Sequence, residues 1–391
     1  MPAADTARPD HVPLGVVARE WGRIGVTGFG GPPTHIRLLR DLCVTRRGWI
    51  DEEDFEHAVA ACNLLPGPAS TQLAIFCAWR VTGPIGALVG GACFIVPGLI
   101  IILILAALFL AEHPPTWLAG AAAGAGAAVA AVAVHAGWGL TPPSWARRSS
   151  TWRWSAYVTA AAVSAATIGP WVVLVLLGSG AVELLARSLL GCSKPGAPAV
   201  VAFSPIGAGL SLGVLASLSW VALKVGALSY GGGFVIIPLM QADAVNRYHW
   251  MTSGQFLTAV ALGQITPGPV VQTVSVVGYA AAGLAGGVLA ALVAFSPSFV
   301  FILGGARHFD RLRANERALA FLAGSGPAAI GAIFGSAIPL TLALRQPWQY
   351  AVLTSSAVAL LVLRRGVVTT LLVAAGIGAA LALLGFTTVG G

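Results

Sequence analysis

The chain has 391 residues, of which 57% are hydrophobic and only 9% are charged, whereas soluble domains carry roughly 25% charged residues. A mean hydropathy of +0.84 over the whole chain excludes an ordinary soluble protein and a soluble domain with one membrane anchor. Apolar runs such as residues 85–110 are long enough for spanning helices and lack the alternation of membrane-spanning strands. The composition therefore predicts an all-α polytopic membrane protein.

Other compositional features exclude further classes. The polar segment up to about Arg19 has no signal-peptide pattern, so we expect no cleaved presequence and an insertion signal in the first spanning helix. The five cysteines form no CxxC motif, and we expect neither a disulfide framework nor a metal site. The net charge of +8 comes from arginines in short loops, which orient membrane helices, so nucleic acid is not an expected partner.

An internal repeat organises the chain. A shift of 201 residues, without a gap, aligns Gly25 with Gly226, Gly30 with Gly231, Arg46 with Arg247, Trp49 with Trp250, Phe55 with Phe256, Gly67 with Gly268 and Phe94 with Phe295. The repeat predicts two homologous halves, residues 1–195 and 196–391. The Gly- and Pro-rich stretch at residues 191–205 is the expected linker.

Each half has the same predicted order of elements. It begins with a helix, at residues 13–29 or 206–230, and continues with a glycine-rich break, a short polar loop and a helix interrupted by Pro-Gly-Pro. Further apolar helices are predicted at residues 84–111, 117–138, 153–190 with a division at 169–170, 283–304, 317–341, 348–364 and 366–387. These segments predict roughly ten to twelve membrane crossings. The glycine and alanine density between residues 120 and 136 favours close helix packing.

The arginines predict the orientation of the second half. Loops after its first, third and fifth segments hold Arg247, Arg307, Arg311, Arg313, Arg317, Arg364 and Arg365, against Arg345 alone on the other side. Those loops are therefore expected to be cytoplasmic. The equivalent counts in the first half are balanced. Because paired halves with matching broken helices are typical of inverted-repeat transporters, we expect the halves to be inverted.

The first group of candidate site residues lies in two glycine-rich segments. The first glycine break is Gly28-Phe29-Gly30-Gly31, followed by Pro32-Pro33-Thr34-His35, and the second glycine break is Tyr230-Gly231-Gly232-Gly233-Phe234. Unwound backbone at membrane depth is tolerated only inside protein or beside a wet cavity. The candidate substrate-binding residues here are Gly30, Gly31, Thr34, His35, Gly231, Gly232 and Gly233. His35 has no aligned histidine, and a hydrogen bond to backbone is its alternative role.

The second group surrounds the first Pro-Gly-Pro break, Pro66-Gly67-Pro68, and the second, Pro267-Gly268-Pro269. A helix that restarts after such a break leaves its first N–H groups unsatisfied at the positive end of its dipole, which favours anions. The candidate binding residues are Asn63, Pro66, Gly67, Pro68, Ser70, Gln264, Pro267, Gly268 and Pro269. The alternative is a packing kink or a surface loop, which the equivalent positions in both halves disfavour.

Two cations and a scarcity of acids complete the candidate site. Arg23 aligns with Lys224, which lies within an apolar run, and a cation at the centre of a membrane helix costs about 2.5 to 3.5 kcal/mol. Lys224 is therefore predicted to be a substrate or gating cation, with snorkelling to the interface as the alternative. The acids within apolar runs are mainly Glu183, which has Arg187 as an i+4 partner, and Asp243. This scarcity favours an anionic substrate, because cation carriers normally keep intramembrane carboxylates.

No catalytic set is predicted. Residues 209–213 match G-x-S-x-G, but they lie in a membrane helix without the strand that a nucleophile elbow requires. The seven histidines form no HExxH motif. We expect that the protein is not an enzyme and uses no cofactor.

The doubled motifs resemble the chromate ion transporter family. The resemblance rests on the pairing of Phe29-Gly30-Gly31-Pro32 with Tyr230-Gly231-Gly232-Gly233, on Trp49 and Trp250, and on both Pro-Gly-Pro breaks, and it covers nearly the whole chain. It implies the long, two-domain type with inverted halves, which exports chromate across the bacterial inner membrane using the membrane energy gradient. Residues 32–35 depart from the glycine-rich version in the second half, and sulfate or another oxyanion is the alternative substrate.

The residues and the resemblance agree on an oxyanion. A tetrahedral dianion needs several donors, which two helix N-termini and one or two cations supply without a metal. The main hypothesis is a multi-pass secondary transporter of the bacterial inner membrane, with the oxyanion and the lipid bilayer as partners and a homo-oligomer left open. The alternatives are a channel and a non-transporting membrane scaffold.

Overall fold

The computed structural model describes residues 12–65, 67–111, 113–167, 172–189, 212–229, 235–305, 309 and 315–386. Within this part the chain forms fourteen α-helices and no strand. The first half contains α1 (Leu14–Thr27), α2 (Pro32–Arg40), α3 (Glu52–Leu64), α4 (Ala69–Phe109), α5 (Thr116–Ala146), α6 (Thr151–Thr167) and α7 (Val172–Leu189). The second contains α8 (Leu212–Leu228), α9 (Ile236–Gln241), α10 (Ser253–Ile265), α11 (Thr273–Gly305), α12 (Glu316–Leu342), α13 (Pro347–Ala357) and α14 (Val367–Leu383).

The long apolar helices confirm the predicted polytopic all-α class. Five segments are long and apolar enough to cross a membrane, namely α4, α5, α7, α12 and the stretch Val270–Gly305 that contains α11. α8, α13 extended to Val362, and α14 are shorter apolar helices. Both α4 and α11 are kinked, at Thr82 with Gly83 and at Ala282 with Gly283, where each glycine has a positive φ. The kinks explain why the sequence pattern predicts new helices near residues 84 and 283. The expected linker at residues 191–205 lies outside the described residues.

The first helix of each half packs on the long helix of the same half. α1 lies against α4, and α8 lies against α11. A Cβ on Gly25 would meet the Phe94 carbonyl oxygen, and a Cβ on Gly226 would meet that of Ala294. Glycine at the equivalent position of both helices therefore allows the same close approach.

The remaining helices are exchanged between the halves. α5 packs against α13 and α14 of the second half, while α12 packs against α6 and α7 of the first. Small residues make these contacts, as at Gly124 beside Ala374 and Gly331 beside Val158, in agreement with the predicted small-residue packing. The two sequence halves are therefore interleaved in space.

Each half also has a π-helical turn at the equivalent position. The first π segment, Asp41–Arg46, continues α2, and the second π segment, Ala242–Arg247, continues α9. The amide of Trp49 donates to the Cys43 carbonyl at 2.7 Å, and that of Trp250 donates to the Ala244 carbonyl at 2.8 Å. π turns are rare and occur frequently at functional sites.

A buried charge cluster joins α6 to α7. The predicted pair of Glu183 and Arg187 is present, with Arg187 Nε 3.1 Å from Glu183 Oε1. Arg153 Nε lies 3.0 Å from Glu183 Oε2, and the Tyr157 hydroxyl donates to the same oxygen at 3.2 Å. Both carboxylate oxygens of Glu183 therefore have partners, and these contacts offset the free-energy cost of burying its charge.

Candidate functional site

The first glycine break ends α1 and starts α2. Gly30 and Gly31 have φ angles of +99° and +74°, which side chains other than glycine rarely adopt. Pro32 and Pro33 occupy the first turn of α2, where the missing proline N–H groups cost no helical hydrogen bond. The break therefore has the predicted form, in which glycines unwind the chain and prolines start a new helix.

His35 connects this break to the first Pro-Gly-Pro break. The ring is fully buried, and its Nε2 lies 2.9 Å from the Gly28 carbonyl oxygen. Because a carbonyl can only accept, Nε2 carries the proton, and the Ser70 hydroxyl donates to Nδ1 at 3.2 Å. Both ring nitrogens are thus used within the protein, and the ring edge packs on Phe94.

The first Pro-Gly-Pro break contacts the second half. Gly67 is buried with φ of +119°, and a Cβ there would lie 2.6 Å from Gln72 Nε2, 3.3 Å from the Gly226 carbonyl oxygen and 3.6 Å from Ser298 Oγ. α4 begins at Ala69, directly after this break. The amides of Thr71 and Gln72 donate to the Pro68 carbonyl at 2.9 and 3.0 Å, whereas those of Ala69 and Ser70 have no acceptor in a preceding turn.

The second Pro-Gly-Pro break contacts the first half. Gly268 has φ of +97°, and its amide donates to the Gly28 carbonyl at 3.1 Å. Gln272 donates through Nε2 to the Ile95 carbonyl at 2.7 Å. A Cβ on Gly98 of α4 would lie 2.6 Å from Gln272 Oε1 and would also meet the Pro267 carbonyl oxygen. Each Pro-Gly-Pro break is therefore seated in the opposite half.

Although some buried polar atoms without a hydrogen-bond partner lie on α6, α12 and α13, most of them lie on the elements that form or adjoin these breaks. Within the described residues they include Thr71 Oγ1, Ser229 Oγ, Gln264 Nε2, Gln272 Oε1, Ser275 Oγ and Ser298 Oγ. Thr71 and Ser298 are fully buried, and Gln264 is 8% exposed. Leaving such a group unpaired costs about 1 to 3 kcal/mol, so each of these atoms has the capacity to bond a water molecule or a ligand.

The two predicted cations have different environments. Arg23 is exposed on α1. Lys224 Nζ lies 2.5 Å from Asp243 Oδ2, and the two side chains are 19% and 3% exposed. The structure therefore gives Lys224 a buried carboxylate as partner, on the second π segment.

The other predicted site residues differ in how deeply they are buried. Pro68, Pro267 and Pro269 are buried at the breaks, Thr34 is half-buried on α2, and Asn63 is exposed although its counterpart Gln264 is buried. Pro66, Gly231, Gly232 and Gly233 lie outside the described residues. No group of three or more His, Cys, Asp or Glu residues among those described could hold a metal ion.

Sequence patterns single out neither Thr71 nor Ser298, and they do not pair Asp243 with Lys224. Thr71 lies just beyond Ser70 in the same motif, and its position in the first turn of α4 was the available signal. Ser298 follows Ser296-Pro297 in an apolar run, where a hydroxyl is unusual. Asp243 was noted as an acid, but no local pattern connects it to Lys224.

The fold and the site define a class: a multi-pass helical membrane protein in which two related, interleaved halves enclose paired helix breaks. The family model described as Chromate transporter matches residues 16–184 and again residues 216–383. The chain therefore belongs to the chromate transporter family.

Curated relatives match most of the chain. The Chromate transport protein of Cupriavidus metallidurans is 32% identical over 326 residues, covering 81% of this chain and 80% of the relative. That of Pseudomonas aeruginosa is 31% identical over 339 residues, covering 81% and 79%. The Probable chromate transport protein of Synechococcus elongatus is 29% identical over 328 residues, covering 81% and 82%. No solved structure matches the chain significantly.

Proposed function

We propose that this protein is a secondary transporter that exports chromate across a bacterial inner membrane and has no enzymatic activity. Membership of the chromate transporter family and relatives named for chromate transport support the substrate. The many apolar helices support a path through the bilayer. The position of the breaks between two halves supports a transporter, because substrate sites of repeat transporters lie at the repeat interface on discontinuous helices.

The proposed anion site lies between the two Pro-Gly-Pro breaks. The N-terminus of α4 offers the amides of Ala69 and Ser70, beside the positive end of the helix dipole. The hydroxyl of Thr71 lies in that first turn, and the hydroxyl of Ser298 lies next to Gly67. Gln264 adds an amide donor from the last turn of α10. A tetrahedral oxyanion accepts several such hydrogen bonds.

One observation carries this location: buried donors without partners lie on both sides of a helix break. Thr71 lies in the first half and Ser298 in the second, and neither hydroxyl has a hydrogen-bond partner among the described residues. If the break were only a packing kink, these two hydroxyls would stay buried without a hydrogen bond. That is unfavourable, because buried polar groups normally have hydrogen-bond partners. An anion would satisfy both.

The test is concentration-dependent uptake of radiolabelled chromate into everted membrane vesicles matched for protein amount. Thr71→Val and Ser298→Ala should each raise the half-saturation concentration about tenfold, because a hydrogen bond to a charged group contributes roughly 1.5 kcal/mol. Both variants should also keep or raise thermal stability, since each removes an unpaired buried hydroxyl. Unchanged half-saturation in both variants would move the anion elsewhere.

Ser336 provides the matched control. Its hydroxyl is also fully buried, but it donates to the Ile333 carbonyl of its own helix at 2.7 Å. Ser336→Ala should leave the half-saturation concentration unchanged and should lower stability slightly. Sulfate added as competitor distinguishes a chromate-selective site from a general oxyanion site. Chromate flux that stays unchanged when the proton gradient is collapsed would indicate a channel.

We also propose that the halves are inverted across the membrane. The arginine bias of the second half supports a cytoplasmic position for its second π segment. Arg46 and Arg247 occupy equivalent, exposed positions in the two π segments. In a cysteine-free background, cysteines placed at these two positions should react with an impermeant thiol reagent from opposite sides. Reaction of both cysteines from the same side would show that the halves are parallel.

A further inference from the structure

The corner where α5 ends, α6 begins and α7 ends has more cations than its acid can neutralise. Its charged residues are Arg147, Arg148, Arg153, Arg187 and Glu183. Arg153 and Arg187 both pair with the buried Glu183. Arg147 and Arg148 are exposed and have no ion-pair partner among the described residues. The corner is therefore strongly positive and has capacity for an anion.

Two tryptophans hold the turn between α5 and α6 in a fixed shape. The Arg148 guanidinium lies over the Trp145 ring, 3.9 Å from its centroid, and Nη1 of Arg148 donates to the Trp145 carbonyl at 2.7 Å. Trp145 packs edge-on against Trp154, with ring centroids 4.8 Å apart. The Trp154 ring N–H donates to the Ser144 hydroxyl at 3.0 Å. A stacked guanidinium is already ordered, so it loses less entropy when it binds an anion.

The surroundings of this corner have the features of a membrane interface. Trp138 and Trp152 are 67% and 72% exposed, and tryptophan is enriched where lipid headgroups meet the hydrocarbon core. α7 is apolar and long enough to cross the membrane, and near Arg187 it exposes Leu185 and Leu189. Guanidinium groups beside an exposed apolar helix fit one molecule that has an anionic head and hydrocarbon chains.

Helix packing places the corner at the face where α12 begins. α6 runs in the same direction as α12, since Gly331 lies beside Val158 and Gly335 lies beside Ala162. The loop before α12 holds several of the arginines that predict a cytoplasmic position. α12 itself begins with one acid and one arginine, which offset each other in charge. Anionic phospholipids of the cytoplasmic leaflet attract clustered arginines of this kind.

A second arginine pair at the same face lacks these features. α14 runs antiparallel to α5, since Gly120 lies beside Gly378 and Gly124 lies beside Ala374, so α14 begins at the face where α5 ends. Residues 364–365, both arginine, precede α14 and are exposed, with no aromatic or acidic side-chain partner among the described residues. Both pairs supply the charge that orients helices. The tryptophan stack and the extra cations at the first corner therefore need another explanation.

We propose that this corner binds the phosphodiester headgroup of an anionic phospholipid, phosphatidylglycerol, from the cytoplasmic leaflet. Arg147 and Arg148 donate to the phosphate oxygens, because a guanidinium forms two parallel hydrogen bonds with a phosphate. Arg153 and Arg187 add positive charge that Glu183 neutralises only in part. The acyl chains lie along the exposed apolar face of α7. The bound lipid stabilises the corner, which is separate from the proposed chromate site.

The experiment titrates the purified full-length protein in detergent with phosphatidylglycerol or with zwitterionic phosphatidylcholine, and native mass spectrometry counts the bound lipid. The wild type should bind one phosphatidylglycerol at concentrations at which phosphatidylcholine hardly binds. The double variant Arg147→Gln with Arg148→Gln should bind phosphatidylglycerol about thirtyfold more weakly, which corresponds to about 1 kcal/mol for each arginine. Trp145→Leu, which keeps every charge of the loop, should weaken binding about fivefold through loss of the stack.

The matched control is Arg364→Gln with Arg365→Gln, which removes two arginines from the same face. It should bind phosphatidylglycerol like the wild type. An equal loss in both double variants, equal binding of the two lipids, or unchanged affinity in Trp145→Leu would overturn the proposal. Displacement of the lipid by an excess of inorganic phosphate would also overturn it, by assigning the corner to a soluble oxyanion. The measurement contains no chromate, so its result is independent of the proposed function.

Discussion

The two halves repeat several backbone features but differ in the side chains around them. The π segments occupy equivalent residues, Asp41–Arg46 and Ala242–Arg247, and both Pro-Gly-Pro glycines have positive φ. In contrast, His35 of the first half aligns with Ile236, and the ion pairs of the two halves have opposite polarity. In the first half the acid, Glu20, lies on the first helix, and in the second half the cation does.

This difference helps to distinguish features that the shared architecture requires from side chains that have a role in one half only. Backbone features that recur in both halves serve the common architecture of breaks and turns. Side chains found in one half only either hold that half alone or serve another role. His35 organises the first glycine break, and the desolvated pair of Lys224 and Asp243 is special to the second half. The comparison therefore suggests exchanges of residues between equivalent positions as tests.

The largest expected effect comes from separating the halves. Residues 1–195 or 196–391 expressed alone should give no chromate transport, because each Pro-Gly-Pro break is seated in the opposite half and α5 and α12 pack on helices of the other half. Co-expression of both pieces should restore transport in part. Vesicle flux with immunoblots of membrane abundance checks this. Activity from one piece alone would contradict the shared site.

The two break glycines should differ in their tolerance of alanine. Gly67→Ala should destabilise by the strain of a positive φ, about 1 to 3 kcal/mol, plus about 1 to 3 kcal/mol of overpacking against Gln72. Gly268→Ala should show only the strain, since its Cβ would lie 3.5 Å from Gln272. Thermal unfolding in detergent, followed by fluorescence-detected size exclusion, measures both. Equal destabilisation would show that the breaks are packed alike.

His35→Ile places the residue of the second half into the first. Loss of the hydrogen bonds to Gly28 and Ser70 should lower stability by about 1 to 3 kcal/mol. The half-saturation concentration for chromate should change little, because both ring nitrogens are used within the protein. A tenfold rise at unchanged stability would instead make His35 a direct ligand of the anion.

The smallest expected effect is at the end of the π segments. Gly48 has φ of +56°, and the equivalent His249 has φ of +52°. His249→Gly should raise stability by roughly 0.5 to 1 kcal/mol, because relief of the strain exceeds the entropy cost of glycine. The same thermal assay measures it, with transport as control. A loss of stability would show that the histidine side chain makes contacts that outweigh the strain.

Much of the fold was accessible from local pattern. Apolar runs punctuated by glycine and proline predicted the helices, and their observed ends, such as Thr116 and Leu342, lie close to the predicted ones. The repeat predicted that both halves break their helices at matching positions. It did not predict the π turns, because their extra residue per turn leaves no mark in hydrophobicity.

By itself the sequence determined the membrane class, the helices, the repeat and the breaks, because each depends on the properties of neighbouring residues. Only the tertiary structure decided which half receives each break, as when the Gly268 amide meets the Gly28 carbonyl. It also decided that Lys224 meets Asp243 and that Thr71 and Ser298 remain unpaired. Contacts between distant residues follow from how helices pack, and helix packing leaves no periodic signal in the chain.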